Sequence, residues 1–303
     1  MKEFILKIFD NKYAEKYYLK HHDIDDSSID WLRVLPFIAI HIGAVLAFFT
    51  DFSWSLLYFA LGSFFVRMFA ITGFYHRYFS HKTFKTSRII QFIFGFIGAT
   101  AAQRGPIWWA SHHRRHHQNS DNEHDHHSPH THNILWSHMG WFLAKKNFLT
   151  DLSYVKDLYK FKELRMIDRF DWMPPLLLII SLYLIGEYSS FLGFGNGFTT
   201  VIWGFFVSTV FVYHSTFAVN SIAHLWGRQR YKTNEQSKNN FLIALLTLGE
   251  GWHNNHHHFP GSIRQGFFWW EIDLTYYVLR MLSLFGLVGN FRTVSNAIKQ
   301  KRS

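Results

Sequence analysis

The sequence predicts an all-α integral membrane protein, with four transmembrane helices in two hairpins and its histidine-rich parts gathered on one side. Three observations predict it. Four apolar stretches, about 32–50, 54–75, 173–193 and 198–220, each come close to the roughly 20 residues that cross a hydrocarbon core. Lys and Arg number 6 before the first span's core, 14 between the second and third and 10 after the fourth, with none at the hairpin tips around Asp51 and Glu187. By the positive-inside rule this puts both termini on the cytoplasmic side. Histidines at chelating spacings stand beside the span ends on that same side.

In chain order, residues 1–30 are polar and charged and lack the parts of a signal peptide. The first span runs from Trp31 to Thr50, and a three-residue turn leads into the second. Segment 89–103 is apolar but less uniform; its entry into the bilayer is the alternative to a four-span reading. Residues 104–138 are His-rich, and 139–171 mix apolar and basic positions as interfacial helices do. Pro174 and Pro175 open the third span, Gly195 to Gly197 make the turn, and the fourth ends at Asn220-Ser-Ile-Ala-His224. A short apolar helix from 241, a last His cluster and an aromatic amphipathic stretch over 266–289 follow. The chain reads as one domain over 1–303. Arg67, inside the second span, requires a partner, with His41 and Glu187 as candidates.

Composition narrows the chemistry. The net charge of +10 fits nucleic acid, anionic lipid or charge asymmetry across a membrane. Its placement selects the last, so nucleic acid is unnecessary. Cysteine is absent, which excludes disulfides and iron–sulfur clusters. The 19% aromatic content fits interfacial Trp and Tyr.

His113, His116 and His117 stand at i, i+3 and i+4, so a helix projects them from one face. His253, His256 and His257 repeat the spacing. His76 and His81 are five apart, roughly 140° around an α-helix, and fit one metal only at a frayed helix end, or else serve two. Asn220 and His224 share a face at i, i+4. Imidazole suits zinc, copper, iron and nickel. So many imidazoles exceed the six positions of one octahedral ion and indicate a two-metal centre. A single interfacial histidine is usually a hydrogen-bonding residue, and the tract 124–132 resembles an adventitious metal binder. The joint pattern on one membrane side is what carries the functional reading.

HRYFSH, HRRHH and HNNHH, with NSIAH between the second and third, resemble the membrane-bound acyl desaturases of the stearoyl-CoA-desaturase-like Δ9 type. GPIWW, SHMGW and RQGFFWWEID resemble the bacterial members, and the likeness covers about 35–290. It implies four spans under a cytosolic helical cap (about 76–171 and 221–303) holding two iron ions, with O2 as co-substrate. The implied ligands are His76, His81, His113, His116, His117, His224, His253, His256 and His257, with Asn220 acting through a water. Trp109 and Thr216 match residues lining a kinked acyl tunnel, and Lys145 and Lys146 match a pair that contacts CoA phosphates. The implied location is a bacterial inner membrane, with the active site on the cytoplasmic side.

Removing hydrogen from an unactivated methylene needs an oxidant that side chains cannot supply. The electrons must come from a separate protein (a ferredoxin, a cytochrome b5-like protein or a flavoprotein reductase), because the chain has no Cys, no nucleotide-binding Gly motif and no His-Pro-Gly-Gly haem signature. Arg228, Arg230 and Lys232 are candidates for docking an acidic donor. Animal acyl-CoA desaturases carry Arg-Asp where Ser111 and His112 stand, and Asp-Pro-His where Asp125-His126-His127 stand. The expected substrate is therefore a fatty acyl-CoA or an acyl-lipid. Extra histidines at 124, 126, 130 and 132 are expected to be solvated or to back the ligands. Two other readings are a membrane fatty acid or alkane hydroxylase, and a non-enzymatic metal transporter or store. The latter needs polar ligands along a path across the bilayer, whereas the ligands cluster at one face and the spans are mostly apolar.

Overall fold

The computed structural model describes residues 2–22, 26–189 and 193–301. It is mostly helical. Two short helices, α1 (Lys2–Phe9) and α2 (Asn11–His21), precede three long apolar ones. These are α3 (Trp31–Phe49), α4 (Trp54–Ser80) and α9 (Gly197–Leu225), each long and apolar enough to cross a membrane. Between them come α5 (Arg88–Ala99), α6 (Pro106–Asn119), α7 (Lys162–Arg169) and α8 (Met173–Tyr188). After α9 stand α10 (Phe241–Leu246), α11 (His253–His258) and α12 (Leu274–Leu284). One two-stranded antiparallel ladder, Lys85–Thr86 with Val288–Gly289, ties the end of the first His segment to the C-terminal region.

Local chemistry sets the helix starts. Ser53, Ser87, Asn240 and Asp273 accept from the backbone amide three residues on, using a donor the helix leaves free. Pro174 and Pro175 occupy the first turn of α8, where no backbone donor is lost. The expected third span is only 16 residues as α8, and it reaches spanning length only together with α7, across a 75° bend. Residues 190–192, at its expected end, lie outside the described residues. Segment 89–103, the alternative fifth span, is the 12-residue α5, too short to cross.

Two cores position the site. One, beneath the histidines, packs Phe74, Tyr75 and Phe79 of α4 against α5 and α6. At Gly98 of α5 a Cβ would run into the Tyr75 ring, so glycine permits the close approach, and Tyr75 OH donates to Gly95 O at 2.9 Å. The other packs Phe205, Tyr213 and Phe217 of α9 against Ile40 and Leu182. The outer bundle surface is apolar, with Phe48, Tyr58, Phe65 and Phe211 between 45% and 88% exposed.

Arg67 finds neither expected partner. Its guanidinium is buried and donates to Thr209 Oγ1 (2.6 Å), Ser208 Oγ, Thr100 O and Ser63 O, spreading the charge over neutral oxygens of α4, α9 and the end of α5. His41 instead contacts His214 (3.1 Å), which contacts His138 (3.0 Å) and so Ser221 (2.9 Å). Glu187 accepts from Gly197 N.

Candidate metal centre

Four elements bring nine histidines together. His76 and His81 come from the end of α4, where residues 70–80 are wound as a π-helix and His81 N donates to His76 O at 3.2 Å. An i→i+5 bond closes a wider turn than the α-helical one and stacks residues five apart. That winding, rather than fraying, puts both rings on one face, 4.9 Å apart. His113, His116 and His117 come from α6, His224 from the end of α9, and the last three from α11.

The rings form two adjacent groups, each with its ligand atoms within 4.8 Å of one another. One holds His76, His81, His113, His117 and His256, and the other His116, His224, His253 and His257. Between them the His117 and His257 rings stack at 4.4 Å. In the first group Nε2 atoms meet at 2.7 Å (His81 and His113), 2.9 Å (His256 and His117) and 3.1 Å (His256 and His76). In the second, His253 Nε2 stands 3.0 Å from His224 and 3.1 Å from His257. Ligands on adjacent corners of a six-coordinate ion, with bonds of about 2.1 Å, stand about 3.0 Å apart. Several imidazoles meeting through Nε2 at that separation fit a shared cation in each group.

Carboxylates stand at the opposite nitrogen of three of these rings. Glu250 Oε2 stands 2.5 Å from His76 Nδ1, Asp125 Oδ2 3.0 Å from His116 Nδ1 and Asp121 Oδ2 2.9 Å from His224 Nδ1. Such partners fix the proton on Nδ1 and turn the Nε2 lone pair inward. Glu250 is itself gripped by the buried Arg77, which also pairs with Asp273, each at 2.9 Å. Burial, and then repulsion from neighbouring rings, pushes His81, His113, His117, His253, His256 and His257 well below the ordinary imidazole value. They are neutral at physiological pH, as metal ligation requires. Burial also opposes charge on His116 and Asp125, but their mutual attraction wins, raising the imidazole and holding the carboxyl far below its usual range. These carboxylates, and Glu250 above all, were not assigned from the sequence; their signal was their place inside GEGWHNNHH and next to His126-His127.

Of the expected substrate-side residues, Trp109 touches the first group. It stacks on His113 at 5.0 Å and meets His76 edge-on at 6.1 Å. Thr216 Oγ1 accepts from Gln103 Nε2 at 3.2 Å, bringing in a residue the sequence did not single out. Asn220 sits at the last turn before His224, and its carbonyl accepts from Ser137 Oγ at 3.0 Å. A polar cavity of about 520 Å³, lined by Arg114, Gln118 and Tyr154, reaches His81 and His117.

Other expected residues have partners within the protein. Lys145 pairs with Asp26 at 3.1 Å, and the Lys146 ammonium lies 5.4 Å over the Trp136 ring. Ser111 Oγ donates to Asp151 O, and His112 Nε2 contacts Leu149 O. Arg230 is spent on Glu271 and Asn255, whereas Arg228 is exposed. Of the extra histidines, His126 is buried rather than solvated, His130 contacts His224 O at 3.1 Å, and His124 and His132 are exposed. Helix α6, the longest of the ligand carriers outside α4 and α9, is capped from a distance. Asp168 of α7 accepts from Ile107 N (2.9 Å) and Trp108 N (2.8 Å).

Similarity to known proteins agrees with this arrangement. A fatty acid desaturase family profile matches residues 52–287. The chain is 38% identical over 279 residues to a chloroplastic palmitoyl-monogalactosyldiacylglycerol delta-7 desaturase of Arabidopsis thaliana, covering 90% of this chain and 72% of that one. It is 38% identical to an icosanoyl-CoA 5-desaturase of Limnanthes douglasii, over 90% and 75% of the two chains. It is 34% identical to an sn-1 stearoyl-lipid 9-desaturase of Anabaena variabilis, over 87% and 94%. Their names differ in bond position and in carrier, so they share a family rather than one product. By profile and by relatives alike, this chain is a member of the fatty acid desaturase family.

Proposed function

We propose that the protein is an O2-dependent acyl desaturase that introduces a cis double bond, at Δ9, into a saturated acyl chain of a membrane lipid. The observation that carries it is the convergence of nine imidazoles into two groups, with Trp109 stacked on His113 of the first. The proposed ligands are the nine histidines, with Asn220 acting through a water. When bound there, a pair of iron ions would supply the oxidant made from O2, while two electrons and two protons from outside complete its reduction to water. The chain's own residues do the rest. Glu250, Asp125 and Asp121 hold the ligand rings in one tautomer, burial excludes water, and Trp109 and the Gln103–Thr216 pair set where the acyl chain lies.

The four-span insertion in two hairpins, with the cap from about 76–171 and 221–303 on the cytoplasmic side of a bacterial inner membrane, is part of the same reading. The distribution of Lys and Arg supports it. A lipid carrier is favoured over CoA because Lys145 is engaged by Asp26, and Ser111 and His112 are turned to cap carbonyls. The electron donor is a separate protein of the ferredoxin, cytochrome b5-like or flavoprotein class. Expression in a host lacking unsaturated fatty acids, followed by profiling of each lipid class, tests the reading. A cis-Δ9 monoene on glycerolipids is expected, with none from His256→Ala at an equal level of membrane protein. A hydroxylated product, or unchanged product from His256→Ala, would overturn it.

A further inference from the structure

The segment after the fourth expected span carries an apolar surface that the described protein leaves open. Helix α10 has no polar side chain: Ile243 and Ala244 pack inward, while Phe241, Leu242, Leu245 and Leu246 face outward, each at least 40% exposed. Helix α12 is apolar on two sides. Leu279 is fully buried, and Leu274, Tyr277, Met281 and Leu284, spaced by three or four, form an outward stripe that reaches 81% exposure at Leu284 and continues into Phe285 just past the helix end. Between the helices, Trp269 and Trp270 are 80% and 52% exposed. Scattered exposed apolar residues need no explanation, but a contiguous patch marks an interaction surface.

The patch is joined to the spans. Asn240 Nδ2 donates to Trp226 O at 3.2 Å, seating α10 at the end of α9, where Leu225 and Trp226 are also exposed. Phe241 meets the Trp252 ring at 6.3 Å, and Trp252 Nε1 donates to Ile272 O at 2.8 Å, linking α10 to the approach of α12. In the first turn of α12, Thr275 Oγ1 bonds to Thr72 Oγ1 at 2.7 Å. Thr72 lies inside α4, before His76, so α12 begins at the depth of that helix rather than beyond its end. The open face of α10 carries no charge. The only charge of α12, Arg280, sits at the stripe's edge with its guanidinium 5.7 Å from the Phe291 ring, as a basic group does when it reaches out of an apolar layer.

We propose that α10, the Trp269–Trp270 turn and α12 form a collar embedded in the bilayer leaflet on the side of the metal centre, their partner being the acyl and headgroup boundary of that leaflet. Continuity with the lipid-facing helices selects lipid over a protein partner, and aromatic residues at its rim are those that favour the interface. The collar rests on the membrane-spanning reading, so the test separates the two. Because the chain has no Cys, Leu246→Cys, Leu284→Cys, Phe65→Cys (on α4) and Lys160→Cys (on the polar cap) each carry one spin label, in the full protein in phosphatidylcholine–phosphatidylglycerol nanodiscs. The collar labels are expected to match Phe65, more accessible to O2 than to a nickel chelate, with the opposite order at Lys160. Collar labels that follow Lys160 while Phe65 reads lipid would overturn the collar and leave the insertion standing. Labels shielded from both probes would overturn it in favour of a protein partner, and Phe65 reading as water would overturn the insertion itself. Brominated lipid should also quench native fluorescence less in Trp269→Phe/Trp270→Phe; equal quenching counts against the collar.

Discussion

Asp125→Asn tests the metal centre without touching a ligand. Asp125 Oδ2 holds His116 Nδ1 at 3.0 Å and accepts from Asp121 N at 2.9 Å, while Oδ1 accepts from His127 N at 3.2 Å. An amide of the same shape can still accept a backbone hydrogen bond, but it no longer carries the charge that fixes the His116 proton. Loss of such an outer partner typically weakens metal binding by about 10–100-fold, or roughly 1.4–2.7 kcal/mol. His116 belongs to the four-histidine group, so one ion should loosen and the other should not. The assay is metal content by mass spectrometry on purified protein dialysed against graded chelator, with size exclusion confirming the fold. Wild-type protein should release two equivalents at similar chelator, whereas the variant should release one of them about 10–100-fold earlier. Glu250→Gln should loosen an ion in the other group, through His76. If Asp125→Asn releases both ions together, or neither early, the division into two carboxylate-backed groups is wrong.

Two further outcomes are expected. Asp168→Ala removes the remote cap of α6 and should cost about 0.5–2 kcal/mol, read as a lower thermal midpoint; an unchanged midpoint would mean the cap is idle. For metal-free protein, the six buried imidazoles hold folded-state values well below about 6.5, so between those limits the unfolded chain binds more protons. Stability should therefore fall as pH drops below about 6.5, partly offset by His116, whose value is raised. Thermal melts in detergent at pH 7.5 and 5.5 measure this, and a higher midpoint at pH 5.5 would contradict it.

The convergence of the histidines was legible because a local rule governs most of it: HxxHH names a helical face without knowledge of the fold. His76 and His81 resisted that rule, because their common face depends on a winding no α-helical wheel contains. The carboxylates were not assigned for a different reason. Asp121 and His224 are distant in sequence, and only tertiary packing joins them. Arg67 shows the limit of charge arguments. Charge pairing predicts an ionisable partner, whereas hydroxyls and carbonyls satisfy it. Lys145 likewise pairs with Asp26, a partner far along the chain that its local sequence does not reveal.

The π-wound end of α4 has a consequence for the family's first motif. Its ring spacing is stored in the backbone, where the amide of His81 reaches the carbonyl of His76 and Ser80 Oγ bonds back to Tyr75 O at 2.8 Å. Deleting a single residue between the two histidines would let the segment relax into ordinary α-helix. They would then be four apart and still near-aligned, but the shortened helix would draw His81 away from His113 and out of reach of its ion. The gap of five in HRYFSH is thus a length measurement, written in helix pitch, from the apolar helix to the histidine cluster.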